Sequence, residues 1–456
     1  METTLAPGIT GLTQADAQAL SARRDEPAWL RERRDAAWRA FETMDFPDAT
    51  DEEWRRTDVR GMTFDGMRTL SASAPVTSPG ALPEALRGAW DGGPSAGRIF
   101  QQDSDVVFTQ LSDDLRVKGV ILSDLHTAAR EHGDLVQKYL GSAVKADEWK
   151  YLALNAALWS GGCFLYVPKD VEIDLTVQLA TGISSERLAL FPRTLIVVER
   201  GAKVTFVDEV LSADGGEPSF VSGAVEIFVG DGAHVEYYAV NRWGKNVTNF
   251  NTVRAMVGRD AHFLALAAGI GSKVTKMRID TEMGQPGSRV DLLGVTFGDG
   301  AQHFDYNTLQ NHNGKHTVSD LQFKSAMTDS ASFVWYGTTR INETAGGSEA
   351  NQTSRNLLLS EHAKASPIPI LEIKAHDVSK CSHGATAGPV DENELFYLEA
   401  RAIPRKVAEQ MLIEGFFASV INRIPDEALR GRVLDAVLVK AGGRPSELTF
   451  EEMLTA

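Results

Sequence analysis

The sequence predicts a mainly β protein whose core is a parallel β-helix, with helical segments before and after it. Three observations carry this prediction. Residues 161–388 alternate short β-branched and aromatic runs with Gly, Asp and Asn, as in TLIVVERGAKVTFVDEV. Similar short openings recur through this part about every 30 residues. The flanking regions instead repeat apolar residues at helical spacing.

The first region, residues 1–97, is predicted to be helical and then to become a linker. The run DEPAWLRERRDAAWRAFETM places Trp29, Leu30, Ala37, Trp38 and Phe41 near helical spacing. The stretch from Ser71 to Gly97 is rich in Ser, Pro, Gly and Ala, which is typical of a connector with one short helical piece. Residues 98–160 are predicted as a mixed, mainly helical lead-in that ends at the turn Ser160-Gly161-Gly162.

The repeat within residues 161–388 favours stacked coils. Its openings are Gly201-Ala202-Lys203-Val204, Gly232-Ala233-His234-Val235, Asp260-Ala261-His262-Phe263, Gly287-Ser288-Arg289-Val290, Gly300-Ala301-Gln302-His303 and Ser330-Ala331-Ser332-Phe333. In stacked coils each unit buries its apolar face against its neighbours. The residues alone also allow a β-sandwich or a propeller fragment.

The last region, residues 389–456, is predicted to be a small helical domain. Asp391 with Glu394 forms a plausible capping pair, Pro404 suits a first helical turn, and Pro425 with Asp426 begins a further helix. Val407, Met411, Leu412, Phe416, Val420 and Ile421 recur at helical spacing. This apolar face either packs on the chain's own β-helix or binds a partner, and the periodicity does not decide between them.

Composition excludes several classes of protein. The 456 residues are 43% hydrophobic and 24% charged, which allows two or three domains. A net charge of −16 argues against nonspecific binding to nucleic acid or to anionic membranes. Two cysteines, the absence of a signal-like N-terminus and the absence of a spanning apolar run predict a cytoplasmic protein with no disulfide framework.

No enzyme motif is found in the sequence. It lacks a GxxxxGK[ST] phosphate loop and a GxSxG elbow, and Gly230-Asp231-Gly232 lies between strand-like runs rather than before a helix. The histidine-rich span from His303 and Asp305 to His312 and His316 matches no metal-hydrolase spacing and is better explained as strand and corner turn. These absences favour a non-catalytic scaffold.

The most informative run is Lys380-Cys381-Ser382-His383-Gly384-Ala385-Thr386. In an extended strand, Cys381 and His383 point to the same side, so both could bind one metal ion or one partner surface. Two ligands are half of a four-ligand site, and the remaining ligands must come from elsewhere in the fold or from another chain. Cys163, in the apolar run CFLYV, is interpreted as structural.

Several motifs resemble the SufB/SufD family of iron–sulfur cluster assembly scaffolds, and its SufD branch in particular. They are Glu52-Glu53-Trp54-Arg55-Arg56-Thr57-Asp58, the run from Ala153 to Val171, AKASPIPILEIK, KCSHGAT and ELFYLEARAIP. SufB proteins carry Glu-His-Glu-Ala-Thr where this chain has Cys-Ser-His-Gly-Ala-Thr. Ala402 departs from the family's Arg-Gly, and we expect this to change the turn before the next helix.

The resemblance implies a right-handed parallel β-helix and a role in a complex of SufB, SufC and SufD. A SufB-type subunit would pair along the β-helix edge, where Cys381 and His383 would hold iron or a nascent cluster transiently. The C-terminal helices, with Phe396, Met411, Leu412, Phe416 and Phe417, would dock the ATPase SufC, which binds and hydrolyses ATP. No tightly bound cofactor is expected, and the sequence does not decide whether a reduced flavin associates with the complex.

Two alternatives remain. The chain could be a SufB-like homodimeric scaffold, although its few cysteines argue against this. It could also be a β-helix polysaccharide lyase or carbohydrate-binding protein, for which the missing signal peptide is unfavourable.

Overall fold

The computed structural model describes residues 12–59, 62–90, 93–424 and 426–442. Pro425, which was predicted to begin a helix, lies outside these residues. So do residues 1–11 of the first predicted region and residues 443–456 of the last one. The described helices are α1 (Gln14–Arg23), α2 (Ala28–Thr43), α3 (Glu84–Arg87), α4 (Asp113–Val117), α5 (Leu125–Glu131), α6 (Gly133–Tyr139), α7 (Lys150–Leu158), α8 (Glu392–Glu399), α9 (Arg405–Ile421) and α10 (Glu427–Lys440), with one 3-10 turn at Pro79–Ala81.

The strands fill the middle of the chain. They are β1 (Gly97–Gln102), β2 (Asp105–Leu111), β3 (Ile121–Asp124), β4 (Cys163–Val167), β5 (Val177–Ile183), β6 (Ala189–Leu190), β7 (Arg193–Val198), β8 (Lys203–Ser212), β9 (Ser219–Val229), β10 (His234–Arg242), β11 (Val247–Val257), β12 (His262–Gly269), β13 (Val274–Met283), β14 (Arg289–Gly298), β15 (His303–His312), β16 (Val318–Met327), β17 (Ser332–Ile341), β18 (Glu349–Leu358), β19 (Lys364–Ile373) and β20 (Lys380–Gly388).

These strands form a parallel β-solenoid with two sheets. One sheet runs β2-β1-β5-β8-β10-β12-β14-β16-β18-β20, and the other runs β19-β17-β15-β13-β11-β9-β7-β4-β3 with β6 beside β9. From β8 onward, successive strands alternate between the sheets, so each coil contributes one strand to each. The prediction of a mainly β fold with a β-helix core is confirmed.

Strand register explains the repeat seen in the sequence. His234 pairs with Lys203 on one side and with His262 on the other, and His262 pairs with Arg289. These residues are the third positions of the first four repeat openings. The two later openings begin strands of the other sheet, where His303 pairs with Ser332. In the first sheet the weak repeat therefore marks equivalent positions of successive coils, whereas the two openings in the other sheet are offset by one residue.

Apolar residues stack in columns inside the coils. Val204, Val235, Phe263 and Val290 occupy one such column, and each is fully buried. Burying an aliphatic or aromatic side chain of this size contributes about 1.5–3 kcal/mol, as an upper estimate. A unit buries this column only against its neighbours, so the coils are stable as a stack.

The N-terminal helices cover the outer face of one sheet. The predicted helical run is confirmed as α2, whose Leu30, Ala37, Trp38 and Phe41 are buried in one apolar cluster with α7. The strands β1, β2 and β3 were not predicted from the sequence. Because β1 pairs in parallel with β5 and in antiparallel with β2, one sheet begins at Gly97, the last residue of the predicted linker, and includes part of the predicted lead-in.

The C-terminal helices cover the outer face of the other sheet. Ile413, Phe417, Val420 and Ile421 of α9 share an apolar cluster with residues of β10, β12, β14 and β16. Of the predicted capping pair, Asp391 caps α8 by accepting from Asn393 N at 2.8 Å, and Asp426, predicted to begin a helix, caps α10 by accepting from Leu429 N at 2.9 Å. Within the described residues, no helix has the length and hydropathy that crossing a membrane requires.

Candidate functional site at the open end of the solenoid

The solenoid ends in two strands that, among the described residues, each have a neighbouring strand on one side only. β19 pairs with β17, and β20 pairs with β18. Their outer edges leave backbone donors and acceptors available, which is the arrangement that a strand from another chain can extend. The candidate site lies at this end.

Strand register places Cys381 and His383 on one face. They lie opposite Ala350 and Gln352 of β18, both of which are buried inside the coil. Cys381 is half-buried against Ala350 and its apolar neighbours, whereas His383 is exposed. The two side chains therefore project toward the interior at the mouth of the solenoid, as their spacing in a strand requires.

The Cys381 thiol is protonated near neutral pH in the isolated chain. Burial raises its pKa above the ordinary value, and Lys380, which precedes it, projects from the opposite face of the strand. A thiolate is the form that binds metals and attacks sulfur. A metal ion or a positive group from a partner would thus be needed to favour ligation.

The described residues contain no group of three or more His, Cys, Asp or Glu side chains arranged to hold a metal. Cys381 and His383 share one face of β20, and their assignment as two ligands of a tetrahedral site stays a prediction.

Gln352 was missed as a site residue. It lies beneath His383 in the register, and its Nε2 donates to Ile370 O at 3.2 Å, while its buried Oε1 has no hydrogen-bond partner within the described residues. A buried acceptor without a donor is costly, so it favours a donor group entering the mouth. The signal in the sequence was a glutamine at an inward position of a strand.

The two open edges differ chemically. β19 contains Pro367 and Pro369, which cannot donate backbone hydrogen bonds, as is common on blunted edge strands. β20 contains Gly384 and only small side chains beyond it, and a Cβ built on Gly384 would meet no atom within 4 Å. The edge of β20 is therefore the one that another backbone can approach closely.

The predicted partner-binding residues are not equally accessible. Phe396 of α8 is 71% exposed, and the neighbouring Tyr397 is 58% exposed. Met411, Leu412 and Phe416 are half-buried, with Lys324 Nζ 4.7 Å from the Phe416 ring centroid. Phe417 is fully buried against the chain's own sheet. Part of the apolar face thus packs internally, and α8 carries the exposed part.

The N-terminal motif Glu52–Asp58 anchors the chain to the solenoid. Trp54 is buried, with its ring 5.2 Å from that of Phe250. Thr57 Oγ1 lies 3.0 Å from His303 Nε2 and also contacts Asp305, which accepts from Lys276 at 2.9 Å. The interpretation of His303 and Asp305 as strand residues is confirmed, and both are occupied by this anchor.

His312 and Cys163 are both buried. His312 Nδ1 and Nε2 lie 2.7 and 2.9 Å from the hydroxyls of Thr317 and Ser319, and burial lowers its pKa to about 4. Cys163 lies in the core, where burial raises its pKa well above the ordinary value. Both environments fit structural roles.

Comparisons with known proteins agree with this architecture. A family model described as SUF system FeS cluster assembly, SufBD core domain, matches residues 181–416, and the SufBD protein N-terminal region matches residues 100–179. The iron-sulfur cluster assembly protein SufD of Bacillus subtilis is 34% identical over 426 residues, covering 92% of this chain and 96% of the relative. An iron-sulfur cluster assembly SufBD family protein of Staphylococcus haemolyticus is 30% identical over 427 residues, covering 91% and 90%.

The solenoid and these matches define a scaffold-type protein of iron–sulfur cluster assembly. The chain belongs to the SufBD family, as its motifs predicted, and it is similar to SufD of Bacillus subtilis along most of its length. This membership removes the basis for the carbohydrate-active alternative.

Proposed function

We propose that this chain is the SufD-type subunit of a SUF complex. Its β20 edge pairs with a SufB-type subunit, and its C-terminal helices dock a SufC-type ATPase. The observation that carries the proposal is the coincidence of an unpaired strand edge with an inward-facing cysteine and histidine on that same strand. Iron or a nascent cluster is the cargo of this site, and the chain itself has no catalytic role.

A site divided between two subunits suits transient binding. Iron accepts thiolate and imidazole ligands, and two ligands from each side of an interface complete a four-ligand site. Such a site forms when the subunits approach and is lost when they separate. ATP-driven approach of two ATPase subunits would supply that motion by shifting the population between closed and open states.

The helix α8 is the favoured docking element for the ATPase. Phe396 and Tyr397 are exposed aromatic neighbours, and aromatic residues commonly anchor interfaces. Phe417 packs against the chain's own sheet and is not available to a partner. Docking therefore relies on α8 and on the half-buried residues of α9 rather than on the whole apolar face.

Co-purification with SufB-type and SufC-type partners from the native host tests the assembly. We expect a mixed complex, measured by native mass. Gly384→Arg should weaken pairing with the SufB-type subunit without unfolding this chain, because space around Gly384 is open. Gly415→Arg, at an equally open position on α9, is the matched control for that pairing. Recovery of the chain only as a homodimer that carries a cluster would instead support the SufB-like alternative.

Iron and acid-labile sulfide in the purified complex test the cargo site. Cys381→Ser and His383→Ala should each lower both contents while the complex keeps its mass. His362→Ala, which changes an exposed histidine in the turn after β18, should leave both contents unchanged. Wild-type contents in both site variants would refute the assignment of Cys381 and His383.

Phe396→Asp tests the docking helix. It should abolish recovery of the ATPase while leaving the SufB-type subunit bound. Val117→Asp is the matched control, because Val117 is 89% exposed and lies in α4, between the early strands β2 and β3. Undiminished ATPase recovery with Phe396→Asp would exclude α8 as the docking element.

A further inference from the structure

Two histidines face each other on the outer surface of the solenoid, away from its open end. His234 of β10 and His262 of β12 are register partners, and their Nδ1 atoms lie 3.1 Å apart. Their ring centroids are 4.7 Å apart with planes inclined by 70°. The side chains are 33% and 28% exposed, so ions in solution can reach the pair.

The Nε2 atom of each ring lies within hydrogen-bond distance of a carboxylate oxygen. His234 Nε2 lies 3.2 Å from Glu236 Oε1, and His262 Nε2 lies 2.6 Å from Asp291 Oδ2. Carboxyl groups have ordinary pKa values of about 4, so both partners are carboxylates near neutral pH.

An ionised carboxylate only accepts hydrogen bonds, so each Nε2 carries the proton that it donates. In a neutral imidazole the other nitrogen then has a lone pair and no hydrogen. When both rings are neutral, the two Nδ1 lone pairs therefore face each other across 3.1 Å. This arrangement is repulsive unless a proton or a metal ion lies between the two nitrogens.

The spacing suits a metal ion. Imidazole nitrogens bind zinc at about 2.0–2.1 Å, which places two nitrogens of a tetrahedral site about 3.3 Å apart. Histidine ligands usually donate their second N–H to a carboxylate, which fixes the tautomer and the ring orientation. Glu236 and Asp291 provide this support on each side.

We propose that His234 and His262 form a two-imidazole site for a divalent transition-metal ion such as Zn²⁺ or Fe²⁺, oriented by Glu236 and Asp291. Imidazole ligands favour these ions over Mg²⁺ and Ca²⁺. No third His, Cys, Asp or Glu within the described residues completes the site, so the remaining positions are open to solvent or to an exogenous ligand. The ion is therefore exchangeable.

The charges around the site limit its affinity. Asp291 also contacts Arg289 at 3.0 Å and Arg423 at 3.7 Å, which balance the two carboxylates. Binding thus depends on the imidazole nitrogens rather than on net negative charge. Because Arg423 follows α9 and Tyr238 OH donates to Glu236 at 3.0 Å, the site lies where the C-terminal helices meet the sheet.

Zinc titration of the full-length chain tests the proposal. The chain is prepared free of metal in a Cys381→Ser, His383→Gln background, so that the proposed cargo site contributes nothing. Calorimetry should show one Zn²⁺ per chain, and Co²⁺ should give a visible absorption spectrum. His234→Gln and His262→Gln should each weaken Zn²⁺ binding at least about tenfold, and Glu236→Gln should weaken it by about 10–100-fold. His362→Gln is the matched control and should bind normally.

NMR of the protein that keeps both His234 and His262 tests the same site without relying on variants that could misfold. In ¹⁵N-imidazole spectra of the background protein, Zn²⁺ should shift two Nδ1 resonances and leave the protonated Nε2 of the same rings in place. Unchanged Nδ1 resonances, or equal Zn²⁺ affinity in the folded His262→Gln variant, would overturn the proposal. Because the site is independent of the proposed scaffold function, either result leaves the co-purification test unaffected.

Discussion

Arg193 and Glu226 form a buried ion pair between neighbouring strands β7 and β9, with Nη2 and Oε1 2.7 Å apart. The Glu226 carboxylate also accepts from the backbone N–H groups of Gly141, Ala143 and Val144 at 2.8 to 3.1 Å. One carboxylate thus fastens the segment after α6 to the solenoid. Charge-assisted bonds of this kind are stronger than neutral ones.

Replacing Glu226 by alanine should destabilise the protein by about 3–5 kcal/mol, because it leaves a buried arginine without its counter-ion and three backbone donors without an acceptor. Urea denaturation measures the free energy of unfolding. Glu217→Ala, which breaks an exposed pair with Arg187, should change it little. Equal, small effects in the two variants would show that Glu226 is dispensable.

Stability should fall as the solution is acidified below pH 6.5, because of a buried cluster beneath α2. His126 Nδ1 lies 3.1 Å from Glu26 Oε1, which also contacts Arg34 Nη2 at 2.6 Å. Burial lowers the pKa of His126 to about 4, whereas contacts with His126 and Arg34 outweigh burial and lower the pKa of Glu26 to about 2. Both groups therefore bind protons more readily in the unfolded chain than in the folded one.

For His126 the contribution is complete above its unfolded pKa of about 6.5 and is lost as pH falls toward 4, with a slope of about 1.4 kcal/mol per pH unit. For Glu26 the loss follows between about pH 4.5 and 2. Urea denaturation at pH 7, 6 and 5 checks the first window. His126→Gln should flatten this dependence by about one proton, and His362→Gln should not. An identical slope in His126→Gln would contradict the assignment.

Replacing Ala402 by glycine should stabilise the protein. It lies between α8 and α9 with φ 62°, in the left-handed region that costs a residue with a side chain about 1–2 kcal/mol. The backbone thus keeps an angle that glycine would adopt freely. Ala402→Gly should raise the free energy of unfolding by up to about 1 kcal/mol, after the entropy of glycine in the unfolded chain is subtracted. Ala400→Gly, at φ −63°, should lower it instead.

Cys381 should react slowly with alkylating reagents at neutral pH. Burial raises its pKa, and the thiolate is the reactive form, so the iodoacetamide rate should keep rising beyond pH 8. Mass spectrometry of the modified peptide measures this rate and separates it from that of the buried Cys163. Lys380→Met should alter the rate little, because Lys380 faces away. A rate that levels off below pH 7 would contradict the predicted protonation state.

The repeat and the flanking helices could be predicted because their signals are local. Each coil must place an apolar column inward at the same position, so Val204, Val235 and Phe263 recur with the strand openings. The helix α2 likewise carries its buried face within one run of sequence. The strands β1 and β2 were missed because β1, GRIFQQ, lacks apolar alternation. It is entirely buried only because it pairs with β5 and β2.

By itself the sequence determined the class of fold, the family and the shared face of Cys381 and His383, because these depend on periodicity and on motifs contiguous in the chain. Tertiary structure decided which surfaces remain open. It buried Phe417 against the sheet, left Phe396 exposed and ended the solenoid at β20. It also brought His234 and His262, 28 residues apart, into contact through the length of one coil. Which nitrogens face each other depends on Glu236, in the same strand as His234, and on Asp291, in the strand beside that of His262. A local pattern contains only the first of these two carboxylates.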